Sequence, residues 1–242
     1  MQQPLPVVLI PGLCCSARLY GHQIPALWRL GPVTVACQTQ DETIGAIARR
    51  ILSDAPPSFA MVGLSMGGFI AFEILRQQPQ RVIKAALLDT SARPDSPESI
   101  KQRQILIDMA EHCRFGEIPD LRFPLLVHPS RHSDDELRQV NRLMAEDTGA
   151  PAYVRQQRAL ISRPDSRPCL GAIMCPTLVM VGDGDQLTPP ECSAEIAAGV
   201  AGARLVTIPQ CGHLATLEQP DFVTSALVEF LADVILPRSI AA

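Results

Sequence analysis

The 242-residue chain lacks any run of lysine or arginine, and its formal net charge is −4. Proteins that bind nucleic acid or an anionic membrane surface ordinarily carry a basic patch, so neither partner is expected. The apolar segment at residues 7–10 is interrupted by Pro11 and Gly12 and is too short for a secretion signal or a membrane span. We therefore expect a cytoplasmic protein that acts on small molecules.

Metal-binding cysteine patterns are also missing. The chain contains eight cysteines, but it has no Cys-x-x-Cys pair and no cysteine pair near a histidine pair at the spacing of a zinc site. We expect no metal and no organic cofactor, and most cysteines should be small buried residues in a reducing compartment. Cys14, Cys15 and Cys211 flank the segments discussed below, where we expect them to pack without a chemical role.

Short apolar segments alternate with amphipathic segments in both halves of the chain, and no internal repeat is present. Strands are predicted at 6–10, 33–36, 59–64, 82–88, 177–181 and 203–208, with helices at 17–30, 43–52, 66–77, 190–198 and 222–231. This alternation is typical of the α/β class, with a mostly parallel central sheet and helices on both faces. The strands are continuously apolar, as expected where both faces are covered.

Residues 93–168 break the alternation. This stretch is charged, begins and ends in proline-bearing segments, and predicts helices at 98–112, 134–146 and 152–162 with no convincing strand. We predict a core made of residues 1–92 and 169–242, and a helical cap at 93–168. The cap would lie over the carboxyl edge of the sheet, where ligands bind in such folds.

A serine stands between two glycines, in Gly63-Leu64-Ser65-Met66-Gly67, at the junction of a predicted strand and a predicted helix. A nucleophile that stands clear of a sheet edge needs a tight, strained turn with very small neighbours, and the two glycines meet that need. The following helix would direct its positive N-terminal end at an oxyanion formed there. A glycine-rich turn with an idle serine is the alternative.

A serine nucleophile needs a base, and the base needs an acid that fixes its tautomer. His213 is the favoured base because its loop follows the last predicted strand and reaches the same sheet edge. Asp185 and Asp183 follow the strand at 177–181, and Asp185 is the favoured acid of the two. Asp89, after the strand at 82–88, is the third candidate, with capping of the next turn as its alternative role.

Taken together, these segments resemble the catalytic segments of esterase-type α/β-hydrolases, and the resemblance extends over essentially the whole chain. The elbow, Gly182-x-x-Asp185 and Gly212-His213 occur in the family's order of Ser, Asp, His. The resemblance also implies that residues 10–13 form the oxyanion loop, so that the backbone N–H groups of Leu13 and Met66 would hold the oxyanion. Pro11 replaces the histidine of many members, and residues 37–41 lack their Arg-Gly-x-Gly-x-Ser turn.

The expected function is that of a serine hydrolase acting on a small-molecule carboxylic ester or a related acyl compound. The same three residues could instead serve lactone, thioester or carbon–carbon bond hydrolysis, or perhydrolysis, because the fold hosts all of these reactions. A non-catalytic ligand-binding or receptor protein is a further alternative, for which an incomplete triad would be expected. A haloalkane-cleaving enzyme would need a carboxylate in place of Ser65.

Arginines are frequent in the predicted cap, and they allow two interpretations. One that reaches the pocket could hold a substrate carboxylate through two parallel hydrogen bonds. Alternatively, they pair with the equally numerous cap carboxylates on a solvated face. The arginines concerned are Arg114, Arg122, Arg155 and Arg158.

Overall fold

A computed structural model describes residues 4–233. In this part of the chain six strands form one sheet in the order β2-β1-β3-β4-β5-β6, and every neighbouring pair is parallel. The predicted α/β class with a parallel sheet is therefore confirmed. The strands are β1 (Val7–Ile10), β2 (Val33–Val35), β3 (Phe59–Leu64), β4 (Val82–Leu88), β5 (Thr177–Gly182) and β6 (Arg204–Ile208).

The helices alternate with the strands in both halves and occur alone between β4 and β5. They are α1 (Ile24–Leu27), α2 (Ile44–Asp54), α3 (Met66–Gln77), α4 (Pro97–Glu111), α5 (Ile118–Leu126), α6 (Asp135–Thr148), α7 (Ala150–Ile161), α8 (Pro190–Gly199), α9 (Ala215–Glu218) and α10 (Pro220–Ala232). None of those within residues 4–233 is long and apolar enough to cross a membrane.

Both faces of the sheet are covered by helices. Successive residues of a strand point to opposite faces, so Met61 of β3 packs with Ile70 of α3 in one core cluster, while Val62 packs with Leu227 of α10 in the other. Helices α2 and α8 also pack on the first face, and α1 on the second. We expected helices to cover both faces of every strand. This expectation is wrong for the edge strand β6, where Leu205 is 41% exposed.

The single helix predicted at 17–30 is also wrong. The chain forms a short 3-10 turn at Ala17–Tyr20 and then the four-residue helix α1. Pro25 stands in the first turn of α1. Because proline has no N–H and its ring clashes with the carbonyl four residues earlier, a continuous helix through this position is disfavoured.

The segment between β4 and β5 contains four helices, and the sequence predicted three of them. Helix α5 was missed because Pro119 and Pro124 argue against a helix, yet Pro119 occupies the first turn, where no N–H is needed. Pro124 lies near the end of α5. Helix α7 contacts the core through Gln156, whose Oε1 accepts a hydrogen bond from the Cys14 N–H at 3.0 Å. Helix α7 thereby contacts the loop that follows the carboxyl end of β1.

Candidate active site

Ser65 forms a strained turn between β3 and α3. Its backbone angles, φ 55° and ψ −113°, are rare for a residue with a side chain. Its N–H donates to the Leu88 carbonyl at 2.9 Å, which ties the turn to β4. A Cβ atom at Gly63 would collide with the backbone of Gly67, and one at Gly67 with the carbonyl of Ile10. The turn therefore requires the Gly-x-Ser-x-Gly sequence.

His213 lies in the loop between β6 and α9 and is 3% exposed. Its Nε2 is 2.8 Å from Ser65 Oγ, and its Nδ1 is 2.8 Å from Asp185 Oδ2. Because an ionised carboxylate can only accept hydrogen bonds, Nδ1 carries the ring proton and Nε2 accepts from the serine hydroxyl. This tautomer is the one that can take the serine proton.

Asp185 is held in place by its own loop. Its Oδ1 accepts hydrogen bonds from the N–H groups of Leu187 at 2.8 Å and Thr188 at 3.1 Å, and its Oδ2 accepts from the Thr188 hydroxyl at 2.7 Å. Burial by itself would raise the pKa of Asp185, but the charge and hydrogen bond of His213, with the bonds from Thr188, lower it below its usual value. The carboxylate therefore stays ionised beside the imidazole.

The other two candidate acids do not contact His213 in the described part of the chain. Asp183 accepts a hydrogen bond from the Cys211 N–H at 3.1 Å. Asp89 accepts one from the Gly182 N–H at 2.9 Å, and its second oxygen has no partner among residues 4–233. Burial, and then the neighbouring charge of Asp185, raise the pKa of Asp89 well above its usual value. Asp89 is thus a buried structural group whose carboxyl holds its proton to a higher pH than an ordinary aspartate does.

The two amides expected to hold an oxyanion lie on either side of the Ser65 turn. Leu13 follows Gly12, and a Cβ atom added to Gly12 would stand 3.5 Å from the Cβ of Ser65. Met66 is the first residue of α3, where a backbone N–H has no partner within the helix. Neither amide donates a hydrogen bond to any atom of residues 4–233. Both N–H groups are therefore free of partners in this part of the chain, and Leu13 also lines the cavity described next.

A cavity of about 500 Å³ opens beside Ser65. This volume lies within the range of about 300–1,000 Å³ that is usual for small-molecule sites. Its walls come both from the sheet edge and from the helices between β4 and β5. They include Leu13, Ser65, His213, Arg103, Arg122 and Tyr153.

Residues 7–226 match the alpha/beta hydrolase family. The chain belongs to this family. The pimeloyl-(acyl-carrier protein) methyl ester esterase of Xanthomonas campestris pv. campestris (strain B100) is 30% identical over 190 residues, which cover 75% of this chain and 74% of that protein. The family resemblance drawn from the three motifs is thus confirmed, and a hydrolase role is supported.

Two solved structures show the same fold over nearly the full chain. A thermophilic esterase from Thermogutta terrifontis, solved with malate bound, has a TM-score of 0.85 and 30% identity, covering 96% of this chain and 90% of that one. The enol-lactonase from Burkholderia xenovorans LB400 has a TM-score of 0.86 and 24% identity, covering 96% and 93%. At this identity the enol-lactonase shows the fold alone.

The four arginines singled out from the sequence of this hydrolase have different surroundings. Arg114 pairs with Glu117 at 2.7 Å, Arg158 pairs with two surface glutamates, and Arg155 donates to a backbone carbonyl. Arg122 alone of these four lines the cavity. Solvated pairing therefore accounts for Arg114 and Arg158 and does not account for Arg122.

The cysteines are less buried than expected. Within residues 4–233 three are buried, and Cys37 and Cys113 are exposed. Cys14 and Cys15 line the cavity next to Leu13. Burial raises the pKa of Cys15 to about 12, and burial with the neighbouring Cys15 raises the pKa of Cys14 still further. Burial likewise raises the pKa of Cys211. All three thiols hold their protons at neutral pH, which supports a packing role.

Two residues of the site were not found from the sequence. Thr188 bonds Asp185, and the Asp-x-x-Thr spacing is a detectable signal for such a local turn. Glu218 accepts hydrogen bonds from the amides of Gly212 and Leu214 at 3.0 and 3.1 Å. No sequence signal marks Glu218, because a glutamate in a helix is ordinarily a surface residue.

No group of three or more His, Cys, Asp or Glu side chains in the described residues could hold a metal ion. The Ser65 hydroxyl instead contacts the imidazole of His213, and the N–H groups of Leu13 and Met66, which have no partner within residues 4–233, lie in the adjoining turns. Such a set can move a proton and stabilise a developing negative charge on oxygen.

Proposed function

We propose that this protein is a serine hydrolase that cleaves small-molecule carboxylic esters through an acyl-enzyme. The observation that carries the proposal is the hydrogen-bond relay from Ser65 Oγ to His213 Nε2 and from His213 Nδ1 to Asp185 Oδ2, each link 2.8 Å long. A serine with this relay, at a strained turn beside a cavity, has the geometry of an activated nucleophile.

In the proposed reaction Ser65 Oγ attacks the ester carbonyl carbon while His213 Nε2 takes the hydroxyl proton. The carbonyl oxygen becomes an oxyanion, for which the N–H groups of Leu13 and Met66 are the donors, each worth about 3 kcal/mol in comparable sites. His213 then passes the proton to the leaving alcohol, and the acyl-enzyme forms. Water attacks the acyl-enzyme, His213 again acts as base, and Ser65 is released with the acid.

Asp185 has a separate task in this cycle, since it touches neither substrate nor leaving group. It holds the proton on Nδ1 and stabilises the imidazolium that forms at each proton transfer. Its low pKa keeps the negative charge in place when His213 becomes positive. Two relatives named as esterases, from Xanthomonas and Thermogutta, support an ester substrate.

We also propose that residues 93–168 act as a cap domain over a core made of residues 1–92 and 169–242. The support is that α4, α5 and α7 supply one wall of the cavity, while the turns after β1, β3 and β6 supply the other. A substrate would therefore bind between the two parts, and the cap would select among acyl or alcohol groups.

Ser65→Ala tests the proposal. We expect turnover of p-nitrophenyl esters to fall by about three orders of magnitude or more, with an unchanged melting temperature. A fluorophosphonate probe should label the parent and not the variant. Ser99→Ala, at another serine that lines the cavity, is the matched control and should keep both activity and labelling. Undiminished labelling of Ser65→Ala would place the nucleophile elsewhere.

The substrate class needs a second measurement. A panel of aryl and alkyl esters of graded chain length, with lactones and thioesters included, should give the highest kcat/KM on an ester. A parent enzyme that labels at Ser65 but prefers a lactone or a thioester would keep the nucleophile and overturn the ester assignment. A parent that neither labels nor turns over any compound would instead support a binding protein.

A further inference from the structure

Arg122 differs from the other arginines at the cavity in having no partner among the residues that the structure describes. Four arginines line the cavity. Arg103 and Arg163 share the carboxylate of Asp95, at 2.6 and 2.8 Å, and Arg93 pairs with a glutamate of α8 at 2.8 Å. Within residues 4–233, Arg122 forms no ion pair or hydrogen bond and stacks on no aromatic ring. Arg122 nevertheless lines the cavity.

Arg122 lies on the face of α5 that lines the cavity. Ile118, Arg122 and Leu126 are spaced four residues apart, so they lie on one face of the helix, and all three line the cavity. The Leu126 carbonyl accepts the hydrogen bond from the His213 N–H at 3.0 Å. Arg122 is therefore four residues, about 6 Å along the helix axis, from Leu126, the residue through which α5 is bonded to the His213 loop.

A partly buried guanidinium without a partner is energetically unfavourable. Burial lowers the pKa of Arg122, and the nearby charge of Arg103 lowers it further. The Tyr153 hydroxyl does not supply the missing negative charge, because burial raises its pKa to about 12. Glu98, which also lines the cavity, is exposed at the start of α4 and makes no ion pair with Arg122 in the described residues. The described residues therefore supply no negative partner for Arg122, and an anionic ligand in the cavity would satisfy it.

We propose that Arg122 binds a carboxylate of the substrate, so that the preferred substrates are carboxylic esters that also carry a free carboxylate, such as half-esters of dicarboxylic acids. The planar guanidinium can bind both carboxylate oxygens at once. One unpaired guanidinium matches one negative charge. A phosphate monoester, with about two charges at neutral pH, would leave one charge uncompensated, because the other cavity arginines already have partners.

This substrate class rests on the proposed function, and its test compares charged and neutral substrates of the same shape. The monomethyl esters of succinate, glutarate and adipate are assayed beside the corresponding ester amides, in which a carboxamide replaces the free carboxylate. The parent should prefer the acid of the best pair by about 10- to 100-fold in kcat/KM. Arg122→Gln should abolish that preference, and its kcat/KM on the neutral amides should change little.

Arg122→Lys and Arg114→Gln are the controls. Arg122→Lys keeps the positive charge and should retain part of the preference for the acid over the amide. Arg114 pairs with Glu117 on the surface, so Arg114→Gln should leave that preference unchanged. Equal rates of the parent on acid and amide, or equal losses by Arg122→Gln on both, would overturn the carboxylate site.

Calorimetry separates this proposal from the proposed function. The three half-esters are titrated into Ser65→Ala, with and without Arg122→Gln, so that no turnover is needed. We expect binding of at least one half-ester, weakened about 10- to 100-fold by Arg122→Gln. If the parent enzyme hydrolyses no ester, yet Ser65→Ala binds a half-ester in a way that depends on Arg122, the carboxylate site is retained and the catalytic proposal is overturned. Absent or unaltered binding would overturn the carboxylate site.

Discussion

Glu218 holds the backbone on both sides of His213. Its Oε1 accepts hydrogen bonds from the N–H groups of Gly212 at 3.0 Å and Leu214 at 3.1 Å, the residues before and after the histidine. Its Oε2 accepts a third from the His128 N–H, in the segment after α5, at 2.7 Å. Burial raises the pKa of Glu218, and the three backbone hydrogen bonds offset only part of that effect. The loop that presents the imidazole is therefore fixed by a carboxylate from α9.

Glu218→Gln should disturb this loop, because an amide places an NH₂ donor against at least one backbone N–H. We expect a loss of stability of about 1–3 kcal/mol and a fall in kcat as His213 moves relative to Ser65. Thermal unfolding and steady-state kinetics measure the two effects. Glu229→Gln, at an exposed glutamate paired with Arg204, is the control and should change neither. A variant with parental kcat would show that Glu218 does not position His213.

The acid of the relay can be identified by amide substitution. Asp185→Asn keeps the shape of the side chain but favours the wrong tautomer of His213, so we expect a loss of about four orders of magnitude in kcat. Asp183→Asn should lose far less, because its carboxylate contacts only the Cys211 amide among the described residues. If Asp183→Asn or Asp89→Asn proves the most damaging, Asp185 is not the acid.

Asp89→Asn should remove a loss of stability that the parent suffers as the pH rises. The folded pKa of Asp89 is raised well above the usual value, so the folded protein keeps a proton that the unfolded chain releases above about pH 4. The contribution of Asp89 to the free energy of unfolding of the parent is therefore fully present below that pH. It declines as the pH rises through the folded pKa. The asparagine variant has no such loss. In urea unfolding, the free energy of unfolding of Asp89→Asn minus that of the parent should be larger at about pH 8 than at about pH 5. The same difference at both pH values would contradict this prediction.

The parts of the site that were predictable from the sequence are those set by local constraints. Gly63 and Gly67 are required by close backbone contacts around Ser65, and an apolar strand before a helical segment is visible in the residues themselves. Loops after parallel strands meet at one sheet edge, which is why His213 and Asp185 could be named before their distance was known. The sequence favoured Asp185 over Asp183, and the structure places Asp185 beside the imidazole.

The remaining features depend on contacts between distant segments. Arg122 and Arg158 look alike in the sequence, yet one faces a cavity and the other pairs with two carboxylates on the surface. Glu218 becomes a loop support only because α9 packs beneath the His213 loop. Helix α5 was missed because its two prolines outweigh its helical pattern when the segment is considered alone. Tertiary packing decides each of these cases.

Cys14 and Cys15 should be unreactive although they lie beside the Leu13 amide. Maleimide reacts with the thiolate, and the raised pKa of both thiols leaves almost none at neutral pH. We expect the exposed Cys37 and Cys113 to be modified first, without loss of esterase activity. Mass spectrometry of each thiol, followed in parallel with activity, measures this.

Two double variants complete the cysteine test. Cys37→Ser with Cys113→Ser should remove the fast labelling and keep the activity, because neither thiol lines the cavity. Cys14→Ala with Cys15→Ala should keep most of the activity and label at the parental rate, since the fast sites remain. If the parent instead loses activity with the first modified thiol and the Cys14, Cys15 variant is protected, a bulky adduct is displacing the Leu13 amide and these thiols are accessible after all. If that variant is inactive before any reagent is added, the two cysteines do more than pack against the loop.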